Sequence, residues 1–350
     1  WKIMRLIVLM QCLVSLFLAK KVTVTTPAYL LANFGGPRHA KDLQEFLISL
    51  LTDRDVTGTF LPRVLHRHLF TFIAKKRVPK VLPQYQSLQN WSPIYFDTET
   101  LAKTLSEILR APVIPFHRYL PSTHEKTLLA LRTLHTRHVI GIPLFPHFTY
   151  SVTGSIVRFF MKHVPEIPIS WIPQFGSDSK FVSLITCHIR DFLQKLGILE
   201  KECCFLFSVH GLPVRYISQG DPYSKQCYES FSAITTNFKQ SENFLCFQSK
   251  FGPGKWLSPS TAQLCQNIDT DKPNVIVVPF GFISDHLETL YEIERDYLPL
   301  LRSRGYRALR IPAIYSSPLW VSTLVDIVKE NSTVVAEELI KSGKKHTGIR

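Results

Sequence analysis

From Pro27 onward, short apolar runs alternate with longer runs of helical period, and no other feature constrains the fold as strongly. AYLLANF, APVIPF, HVIGIPLF, CCFLFSV, NFLCFQ and NVIVVPF read as strands. Between them, HAKDLQEFLISLLTD, DTETLAKTLSEILR, STHEKTLLALRTL, SKFVSLITCHIRDFLQKL and YSKQCYESFSAITTNF repeat apolar residues at helical spacing, the second with Asp97 as its expected N-cap. SDHLETLYEIERDYLPLL and PLWVSTLVDIVKE continue the rhythm. Such alternation predicts an α/β fold with parallel sheets flanked by helices. Two runs of similar length predict two similar Rossmann-like halves, residues 22–172 and 173–330. An apolar extension, 1–21, precedes them and a basic tail, 331–350, follows.

In open α/β sheets, ligands bind beyond the carboxyl ends of the strands. Three such ends carry polar or glycine-rich turns: Asn33 before GGP, His210 in CCFLFSVHGLP, and PFGF at 279–282. A buried strand that stops on an imidazole invites the question of what it faces. In SDHLETLYEIERDY, Ser284 or Asp285 is a plausible helix cap, and Glu288, Glu292 and Asp296 recur every four residues. Each step of four turns an α-helix by about 40°, so the three carboxylates share one face. Like charges so placed repel, and either solvent with nearby basic groups such as Arg295 or a bound cation would relieve them. Histidine with carboxylate suits a divalent first-row cation such as ferrous iron, and an imidazole also takes protons near neutrality. There is no HExxH or HxxxH, so a permanent zinc site is not indicated.

Lysine and arginine exceed aspartate and glutamate 41 to 27, a net charge of +14. That excess favours an anionic partner, but no arginine-rich helix or aromatic-interleaved basic motif points to nucleic acid, and none is expected as a partner. Seven scattered cysteines lack CxxC spacing and read as reduced buried thiols, which suggests the cytoplasm. The run LIVLMQCLVSLFLA behind Lys2 and Arg5 is short for a membrane span. It reads as an upstream extension, a signal peptide with a poor cleavage site, or a segment resting on a membrane.

The motifs SVHGLPVRYISQGDPYSKQCYES, LLANFGGP, IPLFPHFTYSVTGS, FQSKFGPGKWLSPST and VVPFGFISDHLETLYEIERDY, in that family's order along residues 28–330, resemble the ferrochelatases. The resemblance implies a class II chelatase-like fold with the active cleft between its halves. It implies insertion of ferrous iron into protoporphyrin, with release of two protons, to give protohaem. It implies that His210 and Glu288 are catalytic and contact the metal, with an acidic path through Glu292, Asp296 and Asp285. Arg118 and Tyr119 of FHRYLP and Ser92 are the implied porphyrin contacts, with Lys76, Arg77 and Lys80 near the cleft unless KKRVPK is a solvated basic loop. Ferrous iron and protoporphyrin are then substrates. No permanent cofactor is expected, nor a C-terminal iron–sulfur cluster, since no cysteine follows Cys265 in this sequence. An apolar macrocycle makes peripheral membrane contact plausible.

This chain departs from the family pattern in two places. LQNWSPI, 88–94, stands where a GGGSP turn is usual, so Gln89, Asn90 and Trp91 are expected to reshape one pocket wall. His147, Phe148 and Val152 replace the usual glutamine, tyrosine and first threonine of the middle segment. Coproporphyrin is the alternative acceptor and a cobalt chelatase a less favoured one. A secreted tetrapyrrole- or metal-binding protein is a reading of a different class, which only the apolar N-terminal run supports.

Overall fold

The computed structural model describes residues 27–88, 91–134, 138–331 and 333–340. The apolar run 6–19, the remainder of 1–26, Gln89 and Asn90, and residues 341–350 lie outside the described set.

Six of the strands are those expected from the apolar runs: β1 Ala28–Asn33, β2 Val113–His117, β3 Val139–Pro143, β5 Cys203–His210, β6 Glu242–Gln248 and β7 Asn274–Val278. Three shorter ones escaped the pattern, namely β4 Ile169–Trp171, β8 Arg307–Arg310 and β9 Val334–Val335, because two to four residues carry too little periodicity to register. One sheet runs β2-β1-β3-β4-β9 and the other β6-β5-β7-β8. Every pairing is parallel except β9 on β4. β1, β7 and all of β5 before its last residue are buried, as strands covered on both faces by helices must be.

The helices that matter for the site are α1 Ala40–Leu51, α2 Arg63–Gln86, α3 Ile94–Leu109, α4 Ser155–His163, α5 Ser179–Leu196, α6 Tyr223–Thr235 and α7 Trp320–Glu330. α3 begins three residues before Asp97, at Ile94 with Pro93 in the N-cap position, so Asp97 lies in its first turn instead of capping it. α2 occupies the KKRVPK region; Pro79 and Pro83 within it hid its helical character in the sequence.

The tail expected from residue 331 is corrected in its described part. Val334 and Val335 return to pair antiparallel with Trp171 and Ser170 of the first sheet, and Ala336–Ile340 follow as a helical turn packed there. α7 likewise packs on both α5 and α3. One apolar core runs through both halves, from Leu31 and Leu105 to Phe205, Ile276 and Trp320. The two sheets are therefore held in a fixed relation, which any site between them requires.

In each sheet the strands that follow one strand in the chain are laid down on opposite sides of it: β1 lies between β2 and β3, and β5 between β6 and β7. These are topological switch points, where connections leave in opposite directions and open a crevice at the strand ends. β1 ends on Asn33 and β5 on His210.

Candidate active site

A cleft of about 440 Å³ opens at these two strand ends. Asn33 to Gly36 border it from the first sheet, and His210 to Pro213 with Gly281 to Ser284 border it from the second. α1 contributes Phe46, Leu47, Leu50 and Leu51, and α2 contributes Arg77, Val81, Gln84 and Tyr85. Ser92 reaches the wall because residue 36 is glycine: a Cβ there would lie 2.2 Å from the Ser92 Oγ. Trp91 does not narrow the cleft. Its ring stacks on Tyr85, with centroids 6.1 Å apart, and it is absent from the described lining. His147 and Val152 line the cleft, while Phe148 is buried edge-on against Tyr150.

At the floor, the His210 Nδ1 lies 2.8 Å from the Glu288 Oε2. Both side chains remain open to the cleft, at 38% and 28% exposure. The strand register places Gln248 beside His210, and its amide donates to the Glu288 carbonyl at 3.1 Å while its oxygen accepts from Ser208 at 2.7 Å. The Tyr223 hydroxyl donates to the His210 carbonyl at 2.8 Å. Gln248, Ser249 and Tyr223 were not singled out in the sequence; the strand-end position of FQSK opposite VHGL was the available signal.

The acidic segment is not an α-helix. Glu288–Tyr297 is π-helical, wider and with i→i+5 hydrogen bonds, and neither Ser284 nor Asp285 caps it. Glu288 and Glu292 face the cleft, but the expected row is broken at both ends. Asp285 is removed from the path: it pairs with the Arg310 guanidinium at 2.7 Å and accepts from the Thr289 hydroxyl at 2.7 Å. Asp296 lies exposed beyond the cleft lining, its carboxyl pushed up by partial burial.

Ser249 connects the two glutamates. Its hydroxyl lies 2.9 Å from the Glu288 Oε2 and also contacts the Glu292 Oε2. One hydroxyl proton cannot serve two carboxylates, so one of them brings its own. Burial and the neighbouring Glu288 charge raise the Glu292 carboxyl, so of the two glutamates Glu292 takes up a proton more readily. The Tyr297 hydroxyl donates to the other Glu292 oxygen. Removal from water alone would lower His210, but the Glu288 carboxylate outweighs it and raises the imidazole. Glu288 is held low despite burial, chiefly by the His210 charge. His286 is kept neutral by burial, and its Nε2 stands 3.9 Å from Glu288, beyond hydrogen-bond reach. The site is thus an imidazole–carboxylate pair joined through a hydroxyl to a second carboxyl group. Among the described residues, no group of three or more histidine, cysteine, aspartate or glutamate side chains could hold a metal ion.

The expected Arg118 and Tyr119 contacts are also corrected. The Arg118 guanidinium sits 2.8 Å from Asp53 and Tyr119, fully buried, donates to the same carboxylate at 3.0 Å; neither lines the cleft. Ser155 completes this cluster at 2.5 Å. It ties the 53–57 turn to α4, a structural role. Asp53→Ala would leave the half-buried Arg118 guanidinium without its carboxylate, with only the Ser155 hydroxyl at 2.8 Å, so it should cost about 1–3 kcal/mol, read as a lowered urea midpoint. Of the basic trio, Arg77 lines the cleft, with its guanidinium 4.5 Å from the Phe251 ring centroid, whereas Lys76 and Lys80 do not.

Two switch-point crevices face one apolar slot with an imidazole–carboxylate pair at its floor, in the two-sheet architecture of the chelatase fold. The sirohydrochlorin chelatase SirB from Bacillus subtilis subspecies spizizenii, solved in complex with cobalt, superposes with a TM-score of 0.52 at 15% identity, over 87% of this chain and 95% of that one. That likeness concerns the fold alone. A ferrochelatase family model matches residues 26–332. The ferrochelatase of Chlamydia felis is 59% identical over 89% of this chain and 98% of its own length. That of Chlamydia abortus is 58% identical over 90% and 99%, and that of Chlamydia trachomatis serovar A 56% over 87% and 95%. The chain belongs to the ferrochelatase family, enzymes of metal insertion into porphyrin.

Proposed function

We propose that this enzyme inserts ferrous iron into protoporphyrin to give protohaem, with His210 as the proton acceptor at the ring centre. The observation that carries this is the His210–Glu288 pair at the floor of an apolar slot. A free-base porphyrin holds two inner N–H protons, and a divalent metal enters only as both leave. His210 in its neutral form accepts a proton. Glu288 stabilises the resulting imidazolium and helps hold the ion, and Ser249 and Glu292 offer the next stations for a departing proton. Histidine and carboxylate suit ferrous iron as donors.

The choice of protoporphyrin is supported by charge. Among the described lining residues only Arg77 and Lys250 carry permanent positive charge, and the walls are chiefly apolar. That matches a macrocycle with two propionates better than coproporphyrin, which has four. Anaerobic incubation with ferrous iron and each porphyrin, followed by absorbance, tests it. Faster metalation of protoporphyrin at equal concentration is expected; a preference for coproporphyrin overturns the reading. Arg77→Ala should raise KM by about tenfold or more with little change in kcat, the loss of one charged hydrogen bond.

A reducing, cytoplasmic setting belongs to the same reading. Cys203, Cys204 and Cys265 are buried free thiols, each pushed up to about 12 by burial, which supports structural rather than reactive roles.

A further inference from the structure

Arg310 lies outside the cleft lining, at the carboxyl end of β8, and its side chain is only 8% exposed. β8 pairs with β7, with Arg310 opposite Val277, so the residue is fixed to the second sheet. Its guanidinium holds the acidic segment in two places. Nη1 donates to the Asp285 Oδ1 at 2.7 Å, ahead of the π-helix, and Nε donates to the Glu294 Oε1 at 2.8 Å, within it. Asp285 carries the hold further. The same oxygen accepts from the Thr289 hydroxyl at 2.7 Å, and the Thr289 oxygen accepts from the His286 N–H at 2.9 Å. Thr289 is fully buried. Glu288 therefore sits between residues pinned before it, beside it and after it, and its own carbonyl accepts from Gln248 at 3.1 Å.

Such a frame answers a local weakness. π-Helices are rare and occur mostly as single-turn bulges, whereas this one runs for 10 residues, Glu288–Tyr297. A return to α winding would tighten each turn by one hydrogen-bond step and rotate Glu288 relative to Glu294. It would also part Tyr297 from Glu292, because residues five apart in an α-helix point about 140° away from each other. Arg310 opposes that rotation, since one guanidinium ties both ends of the interval to the same strand. We infer that Arg310 is a positioning residue for metal insertion: by holding Asp285 and Glu294 at once, it fixes the winding of the π-helix that aims Glu288 at His210. The inference rests on the role proposed above for Glu288. A lysine in its place would keep the charge but lose the planar fork that meets two carboxylates in fixed directions.

The test is a double-mutant cycle of Arg310→Lys with Glu288→Gln, read as kcat in anaerobic metalation, with porphyrin affinity measured separately by fluorescence without iron. Circular dichroism checks folding. Arg310→Lys should lower kcat by about tenfold, within the range for a misplaced catalytic group, and leave the porphyrin dissociation constant within about twofold. On the Glu288→Gln background the same substitution should lower kcat by less than about twofold, because the group it positions is already gone. A purely structural role would instead repeat its full loss on that background. That outcome, a loss of porphyrin affinity with kcat unchanged, or a folded Arg310→Lys enzyme with the original kcat would overturn the inference. Glu294→Gln, at a side chain 36% exposed, removes only one of the two holds and serves if the lysine variant folds poorly. It should lower kcat by about threefold in the unaltered enzyme and not on the Glu288→Gln background; equal losses on both would overturn the inference as well. A Glu288→Gln enzyme with unchanged kcat would remove the proposed role of Glu288 and this inference with it, whereas an impaired Glu288→Gln enzyme beside an unchanged Arg310→Lys one removes the positioning role alone.

Discussion

His210→Ala is expected to lower kcat for metal insertion by about 10²–10⁴, the range for losing a positioned proton acceptor. Porphyrin binding should persist, because the slot walls come from α1, α2 and the strand ends, with His210 only at the floor. Two measurements separate these effects: anaerobic metalation followed by absorbance, and porphyrin fluorescence titration without iron. The substitution also leaves the Glu288 carboxylate without its cation, so this group should bind a proton more readily than in the unaltered enzyme. Turnover at the original rate in a correctly folded variant would remove His210 from the mechanism.

Glu288→Gln should change both the rate and the pH profile. In the unaltered enzyme Glu288 raises His210, so the imidazole is neutral, and able to accept a proton, only above an elevated pKa. Activity therefore falls as pH drops through a value above the ordinary histidine pKa of about 6.5. The amide removes the charge that raises the imidazole and leaves the desolvation that lowers it. The acid limb of kcat/KM should then move to lower pH, while the plateau falls by about 10² as the station next to His210 is lost. A profile from pH about 5 to 9 and an NMR titration of the His210 ring report the same shift independently. An unmoved acid limb would show that the pair does not set the protonation of the site.

Several site features were legible in the residues. Asn33, His210 and the 279–282 turn were all expected at strand ends, and all three border the cleft. A carboxylate row was expected near the imidazole, and Glu288 and Glu292 are its members. Asp285 and Asp296 were expected to extend it and do not. Their fate depends on Arg310, which arrives on β8, and on a π-helical geometry that four-residue spacing does not announce. Arg118 and Tyr119 differ for the same reason, because Asp53 lies 65 residues from Arg118 in the chain and adjacent to it in space.

By itself, the order of apolar and helical runs determined two parallel sheets and the strand ends where a ligand would sit, because burial on one or both faces imposes a local period on the residues themselves. Only the tertiary structure decided which ionisable side chains reach that place. A carboxylate or guanidinium goes to the nearest opposite charge, and that neighbour is brought in by distant elements whose approach leaves no trace in local spacing. The pairing of His210 with Glu288, the sharing of Ser249 between two glutamates and the diversion of Asp285 and Arg118 all follow from that convergence.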